Sequence, residues 1–227
     1  MPLKTQTTFN FNKILNKTVL EFITKLKPKT SHGPDLISNN VLKKIAPTII
    51  LPLVHLINLS MSSGFVPSQL KFSTIKPIFK SDDRNTFGNY RPISILSCFS
   101  QLLEKIICQQ LINYFEINKL FYKHQYGFRA NHSTIHALAH FCEKIYSAFN
   151  QDKFSIAVFI DLKKAFDTVD SEILLKKLEH YGIKSIELDW FKSYLSNRIQ
   201  CCQINGHNSL TREVKMGVPQ GSVAGPL

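Results

Sequence analysis

The sequence has no CxxC pair, no internal repeat, no low-complexity tract and only 16 acidic residues against 28 basic ones. Its five cysteines, Cys98, Cys108, Cys142, Cys201 and Cys202, are odd in number and scattered, which argues against a disulfide framework. They suit reduced thiols in an intracellular protein, nuclear or cytoplasmic. Residues 1–12 contain no apolar signal core, so secretion is not expected. The most apolar stretch, 45–61, is too short for a bilayer and holds Pro47, Pro52 and His55. It reads as packed helix, with no membrane partner. His132, His136 and His140 share one helical face near Cys142, but no second ligand pair completes a tetrahedral zinc site.

What is present bounds the rest. A chain of 227 residues, 44% hydrophobic and with 17 phenylalanines, can bury a real core as one large domain or two small subdomains. A net charge of +12 favours a polyanionic partner, because cationic side chains neutralise phosphates.

Hydrophobic spacing predicts an amphipathic first helix through Phe11, Ile14, Leu15, Phe22, Ile23 and Leu26, broken by the Pro/Gly segment 27–35. Two short helices are expected at 36–45 and 48–62, a strand at 74–79 and a polar loop at 80–89. The clearest helix is 99–115, where Leu102, Leu103, Ile106, Ile107 and Leu111 form one face. Another is expected at 134–149. The run Phe154-Ser155-Ile156-Ala157-Val158-Phe159-Ile160 suits a central strand buried on both faces. Asp170 can cap a following helix that stops near Gly182, and a helix at 186–195 carries Trp190, the single tryptophan. Residues 198–205 and 210–215 read as a hairpin around Asn205-Gly206. The interleaving has no strict βαβ rhythm, so the fold class is α+β, with a soft boundary near Lys153.

Asp161 is the sharpest residue. A carboxylate at the end of a buried strand needs compensation, and a divalent magnesium ion supplies it through carboxylate and phosphate oxygens. A capping role at a strand-to-helix turn is the other reading. The segment decides: Asp161, Ala165-Phe166 and Asp167 match the first palm motif of reverse transcriptases, in the form used by non-LTR (LINE-type) retrotransposons. Asn89-Tyr90-Arg91-Pro92-Ile93-Ser94 and Gln125-Tyr126-Gly127-Phe128-Arg129 resemble fingers motifs of that family, with His132-Ser133-Thr134 following. Trp190-Phe191-Lys192-Ser193-Tyr194-Leu195 with Asn197-Arg198 and Gln200 is similar to it, and Gly217-Val218-Pro219-Gln220-Gly221-Ser222 closes the series.

The resemblance implies a right-hand polymerase: a helical extension at 1–30, a fingers-like region at 31–153 and a partial palm at 154–227, with the thumb absent. It implies Asp161 as catalytic metal ligand for magnesium, with the Leu162 carbonyl able to assist. Lys80 and Arg91 would reach the triphosphate of a deoxynucleoside triphosphate, and Gln220 would lie against that nucleotide. Phe166 would be the steric gate under the sugar. Core packing for Phe166, a solvated surface for Lys80 and Arg91, and a plain loop for Gln220 are the other readings. Asp167 and Asp170 are explained by a turn and a helix cap, and Lys163-Lys164 by a helix start or a phosphate contact.

The partners implied are an RNA template and a DNA primer, with no specific protein partner. In the family, a hairpin with two adjacent aspartates follows the Pro-Gln-Gly turn. The sequence contains only Asp82-Asp83, in the polar loop. The chain is therefore expected to be a fragment of an RNA-directed DNA polymerase, inactive alone, and Ala224 stands where the family carries a larger aliphatic residue. A noncatalytic nucleic-acid-binding remnant and an unrelated basic α+β protein are the alternatives.

Overall fold

The computed structural model describes residues 4–226. Helix α1 (Asn16–Thr24) buries Val19 and Ile23 against α2 (Asn39–Ser63) and α3 (Cys98–Ile117). Ser38 caps α2 by accepting the Val41 N–H, and Gly64, at φ 65°, ends it in a left-handed turn. Sequence reasoning expected two helices here; α2 is one helix running through Pro47 and Pro52. Each interior proline removes a backbone hydrogen bond, at a cost of about 3 kcal/mol. Burial of Leu42, Ala46, Val54, Ile57 and Met61 along α2 offsets that loss. By length and composition α2 could cross a bilayer, and it packs against α1, α3 and α6.

The α3 face read from the sequence is the centre of the core: Leu102, Leu103, Ile106, Ile107 and Leu111 are all buried. Ser97 caps this helix through the Ser100 N–H. Cys98 and Cys108 lie in it, and burial pushes their thiols up to about 11 and about 12, which keeps them protonated and unreactive. Helix α4 (Thr134–Phe149) and α5 (Ser171–His180) bury no residue fully; Asp170 caps α5 by accepting the Glu172 and Ile173 N–H groups. Helix α6 (Ser185–Leu195) buries Trp190, Phe191 and Tyr194.

Beside this helical core lies a five-stranded sheet. β1 (Phe72–Phe79) pairs antiparallel with β2 (Tyr90–Leu96), with Ile78 opposite Arg91, and parallel with β3 (Arg198–Ile204), with Phe72 opposite Ile199. β3 also pairs with β4 (His207–Asn208) and β5 (Arg212–Val214). The turn between β3 and β4 is the expected Asn205-Gly206, both residues at positive φ (50° and 83°). The mixture of helices and a mixed sheet is an α+β fold.

The expected central strand at 154–160 is not there. The segment has no regular structure, and Val158, Phe159 and Ile160 are 80%, 84% and 83% exposed. A strand buried on both faces needs ladder partners as well as cover. Among the described residues the sheet is built from β1, β2, β3, β4 and β5 alone, and none of them pairs with this segment. The apolar, β-branched composition states a preference for a covered, pleated surface; it does not supply the partner.

Candidate nucleotide and metal site

The site is built on the β1–β2 hairpin. At its tip the Lys80 N–H donates to the Asn89 carbonyl at 2.8 Å. Asp83 folds the loop by accepting from the Asn85 N–H and the Thr86 hydroxyl, both at 3.0 Å. Tyr90 Oη donates to the Arg84 carbonyl at 2.9 Å, and the Arg84 guanidinium sits 4.9 Å from the Phe79 ring centroid. The hairpin thereby presents Lys80, Arg84 and Arg91 together.

The second wall follows the exposed segment. After Asp161 the chain turns tightly, with the Asp167 N–H donating to the Lys164 carbonyl at 2.8 Å. Onto this turn docks the glycine-proline loop: Gly217 N–H donates to Val169 O and Val218 N–H to Phe166 O, each at 2.8 Å. Gly217 lies at φ 88°, and a Cβ there would meet Phe166 O at 2.8 Å and Asp167 Cα at 2.9 Å. Glycine is required at this position by both conformation and space. On its other side the loop is tied to β2, where the Ser94 N–H donates to the Gln220 carbonyl at 2.8 Å.

These ties close a cavity of about 880 Å³ lined by Lys80, Arg84, Arg91, Asp161, Lys163, Lys164, Asp167 and Gln220, among others. Four of the five sequence-predicted site residues, Lys80, Arg91, Asp161 and Gln220, are brought together from four separate segments. Phe166 is not among the lining residues; it is half-buried, and its carbonyl holds the Val218 N–H. The five cations exceed the two carboxylates, so the cavity favours an anion such as a polyphosphate.

Asp161 and Asp167 give two carboxylates at one cavity wall. Magnesium is held by one or two carboxylates together with substrate phosphates, so this donor chemistry fits that ion. No group of three or more His, Cys, Asp and Glu side chains able to hold a metal occurs among the described residues. The two aromatic-flanked histidines His124 and His140 stack at 4.6 Å away from this cavity.

Sequence reasoning missed Arg84 and assigned Asp167 to a turn alone. Asp167 does make that turn, and it also lines the cavity. Its signal was available, six residues after Asp161 on a sharp bend. Arg84 in a polar loop carries no comparable signal. Ala224 is half-buried against the core, so a missing larger side chain costs less here than the roughly 2–5 kcal/mol of a fully buried truncation.

Comparison with known proteins agrees with the motifs. A family model described as reverse transcriptase (RNA-dependent DNA polymerase) matches residues 78–227. The probable RNA-directed DNA polymerase from transposon BS of Drosophila melanogaster is 34% identical over 92% of this chain and 23% of its own length. The probable RNA-directed DNA polymerase from transposon X-element of the same species is 31% identical, over 92% of the chain and 23% of the relative. The RNA-directed DNA polymerase from its mobile element jockey is 29% identical, with the same shares. The chain thus spans under a quarter of the length of these relatives. It belongs to the reverse transcriptase family, as a domain homologous to the RNA-directed DNA polymerases of non-LTR retrotransposons.

Proposed function

We propose that the cavity is the nucleotide end of an RNA-directed DNA polymerase active site, and that the complete polypeptide copies an RNA template by extending a DNA primer. The observation that carries this reading is the convergence of Lys80, Arg91, Asp161 and Gln220 on one electropositive cavity. In this reading residues 1–30 are a helical extension, 31–153 the fingers and 154–227 part of the palm, with the thumb outside them.

Arg91 grips the triphosphate of the incoming deoxynucleotide with its planar fork, and Lys80 adds a point charge. Gln220 lies against the nucleotide on a loop that cannot drift, being tied to β2 and to the 166–169 turn. Asp161, with the Leu162 carbonyl and Asp167 close by, would hold magnesium, the second group of carboxylates coming from the paired-aspartate hairpin of the family. Such an ion, when bound, eases deprotonation of the primer hydroxyl and neutralises charge on the phosphates. Phe166, which the resemblance makes the sugar gate, stands outside the cavity lining, and what it contributes here is the carbonyl that holds the Val218 N–H.

Primer extension on an RNA template tests the reading, using the complete polypeptide and its Asp161→Asn variant. Synthesis by the parent and none by the folded variant supports it; ordinary synthesis by the variant removes Asp161 from the mechanism. The excess of cations around the cavity also suits a phosphate-binding module without chemistry. Hybrid binding without synthesis by the complete parent would favour that alternative.

A further inference from the structure

Glu104 sits inside α3 among Leu102, Leu103, Ile106 and Ile107, and is only 1% exposed. A carboxyl in such a place is costly unless its oxygens are hydrogen-bonded. Both are. Tyr194 Oη donates to Oε1 at 2.8 Å, and the Val223 N–H donates to Oε2 at 2.7 Å.

Tyr194 belongs to the Trp190–Arg198 block, which the nucleotide cavity does not explain. Its ring stacks on Trp190 at 5.5 Å, and Trp190 Nε1 donates to Ser60 Oγ at 3.0 Å. The Arg198 guanidinium lies 4.8 Å from the Tyr194 ring centroid, and its Nη1 donates to the Tyr194 carbonyl at 3.1 Å. Lys71 Nζ donates to the neighbouring Ser193 carbonyl at 3.0 Å. Two buried cations thus close the C-terminal end of α6, where helix carbonyls lack partners. From within this block the Tyr194 hydroxyl donates to the Glu104 carboxyl.

An apolar side chain would fill the same space without desolvating a carboxyl. What Glu104 adds is an acceptor for the Val223 N–H, just past the loop that carries Gln220. That loop has two other anchors, the 166–169 turn and the Ser94 N–H. Between Gln220 and Val223 the chain is tight: Ser222 Oγ donates to Pro219 O at 2.8 Å and accepts the Gly225 N–H at 2.9 Å.

We propose that Glu104 is a positioning residue of the cavity: its buried carboxyl captures the Val223 N–H and so fixes the loop that presents Gln220. The functional consequence rests on the nucleotide reading given above; the positioning does not. Hydrogen-exchange mass spectrometry of the 227-residue chain tests it, comparing segments 216–226 and 98–111. In Glu104→Leu, segment 216–226 should exchange roughly 3- to 10-fold faster while 98–111 stays protected, as expected for one lost hydrogen bond. In Glu104→Gln, protection should persist, because the amide can donate to Tyr194 Oη while its carbonyl accepts from Val223.

Unchanged exchange at 216–226 in Glu104→Leu overturns the proposal. So does loss of protection in both segments together, which marks a plain core residue, or failure of Glu104→Gln to rescue. Should Glu104→Leu not fold, the parent chain decides: the Val223 amide must exchange more slowly than that of Gly221, and the reverse order overturns the proposal. Deoxynucleotide affinity is read separately with Gln220→Ala. An unchanged affinity there defeats the nucleotide reading, while the exchange result still judges Glu104.

Discussion

The Ser94 amide donates to the Gln220 carbonyl at 2.8 Å, so the loop bearing Gln220 is fastened to the strand that bears Arg91. A nucleotide bound between these side chains would meet groups whose separation is set by one backbone hydrogen bond. Rigid spacing of this kind is what binding sites require.

Gly217→Ala should disturb that spacing from the opposite side. The new Cβ would stand 2.8 Å from Phe166 O, on a backbone at φ 88°. A loss of about 1–3 kcal/mol is expected from the strained conformation, read from the midpoint of a denaturant melt. Deoxynucleotide affinity should fall with it. An unchanged melt and affinity would show that the loop accommodates a side chain and is not held as described.

Glu104 should give stability an unusual pH dependence. Burial pushes its carboxyl up from the ordinary range, opposed by the Tyr194 and Val223 hydrogen bonds and by Arg198. The folded state therefore keeps a proton that the unfolded chain loses at about pH 4.3. Across the window from there up to the raised folded value, stability falls as pH rises. Glu104→Gln should flatten this slope, seen in melts collected from pH 4 to 8. Equal slopes in the two proteins would contradict the account.

Arg129 holds the 121–132 loop onto α3, with Nε and Nη2 each 2.8 Å from the two Glu116 oxygens. That hydrogen bond lowers the Glu116 carboxyl. The tie is complete above the ordinary carboxylate value, about 4.3, and is lost as pH falls through the depressed folded value. Arg129→Lys keeps the charge but not the fork, and should speed hydrogen exchange at 121–132 at neutral pH without moving the melt. Unaltered exchange would show that the pair does not order the loop.

How far these features were legible varies with their physical origin. The α3 face, the Asp170 cap and the Asn205-Gly206 turn are local, encoded by spacing and backbone preference, and the structure has each of them. The continuity of α2 was hidden because Pro47 argues locally for a break, whereas burial of Leu42 and Ala46 before it and of Val54 and Ile57 after it overrules that preference. The 154–160 run announced burial but not a partner; among the described residues no strand pairs with it, and Phe159 meets the Phe141 ring of α4 at 5.8 Å. Arg91, Asp161 and Gln220 were legible through ordered motifs, and Lys80 only through what the resemblance implies. Glu104 was not singled out, although a charged residue on the stripe of Leu103, Ile107 and Leu111 was a visible anomaly.

The uncovered apolar segment has a direct consequence. Phe154, Ile156, Val158 and Phe159 are all exposed, beside an α4 that leaves Leu138 and Phe149 exposed too. The isolated chain should bind an apolar dye and self-associate as its concentration rises. Ile156→Lys with Val158→Lys should reduce both, and the melt should move by no more than about 0.5 kcal/mol, as for other surface changes. A monomeric, dye-free parent chain would contradict this.

Lys80, Arg91, Asp161 and Gln220 are proposed to form one deoxynucleotide site. Equilibrium titration of the chain with a deoxynucleoside triphosphate, with and without magnesium, tests it most directly beside Arg91→Ala and Asp161→Asn. The account predicts magnesium-dependent binding by the parent, weakened roughly tenfold or more without the Arg91 fork, a charged hydrogen-bond pair, and stripped of its magnesium dependence in Asp161→Asn. Binding that is absent in the folded parent, or indifferent to both substitutions, would contradict it.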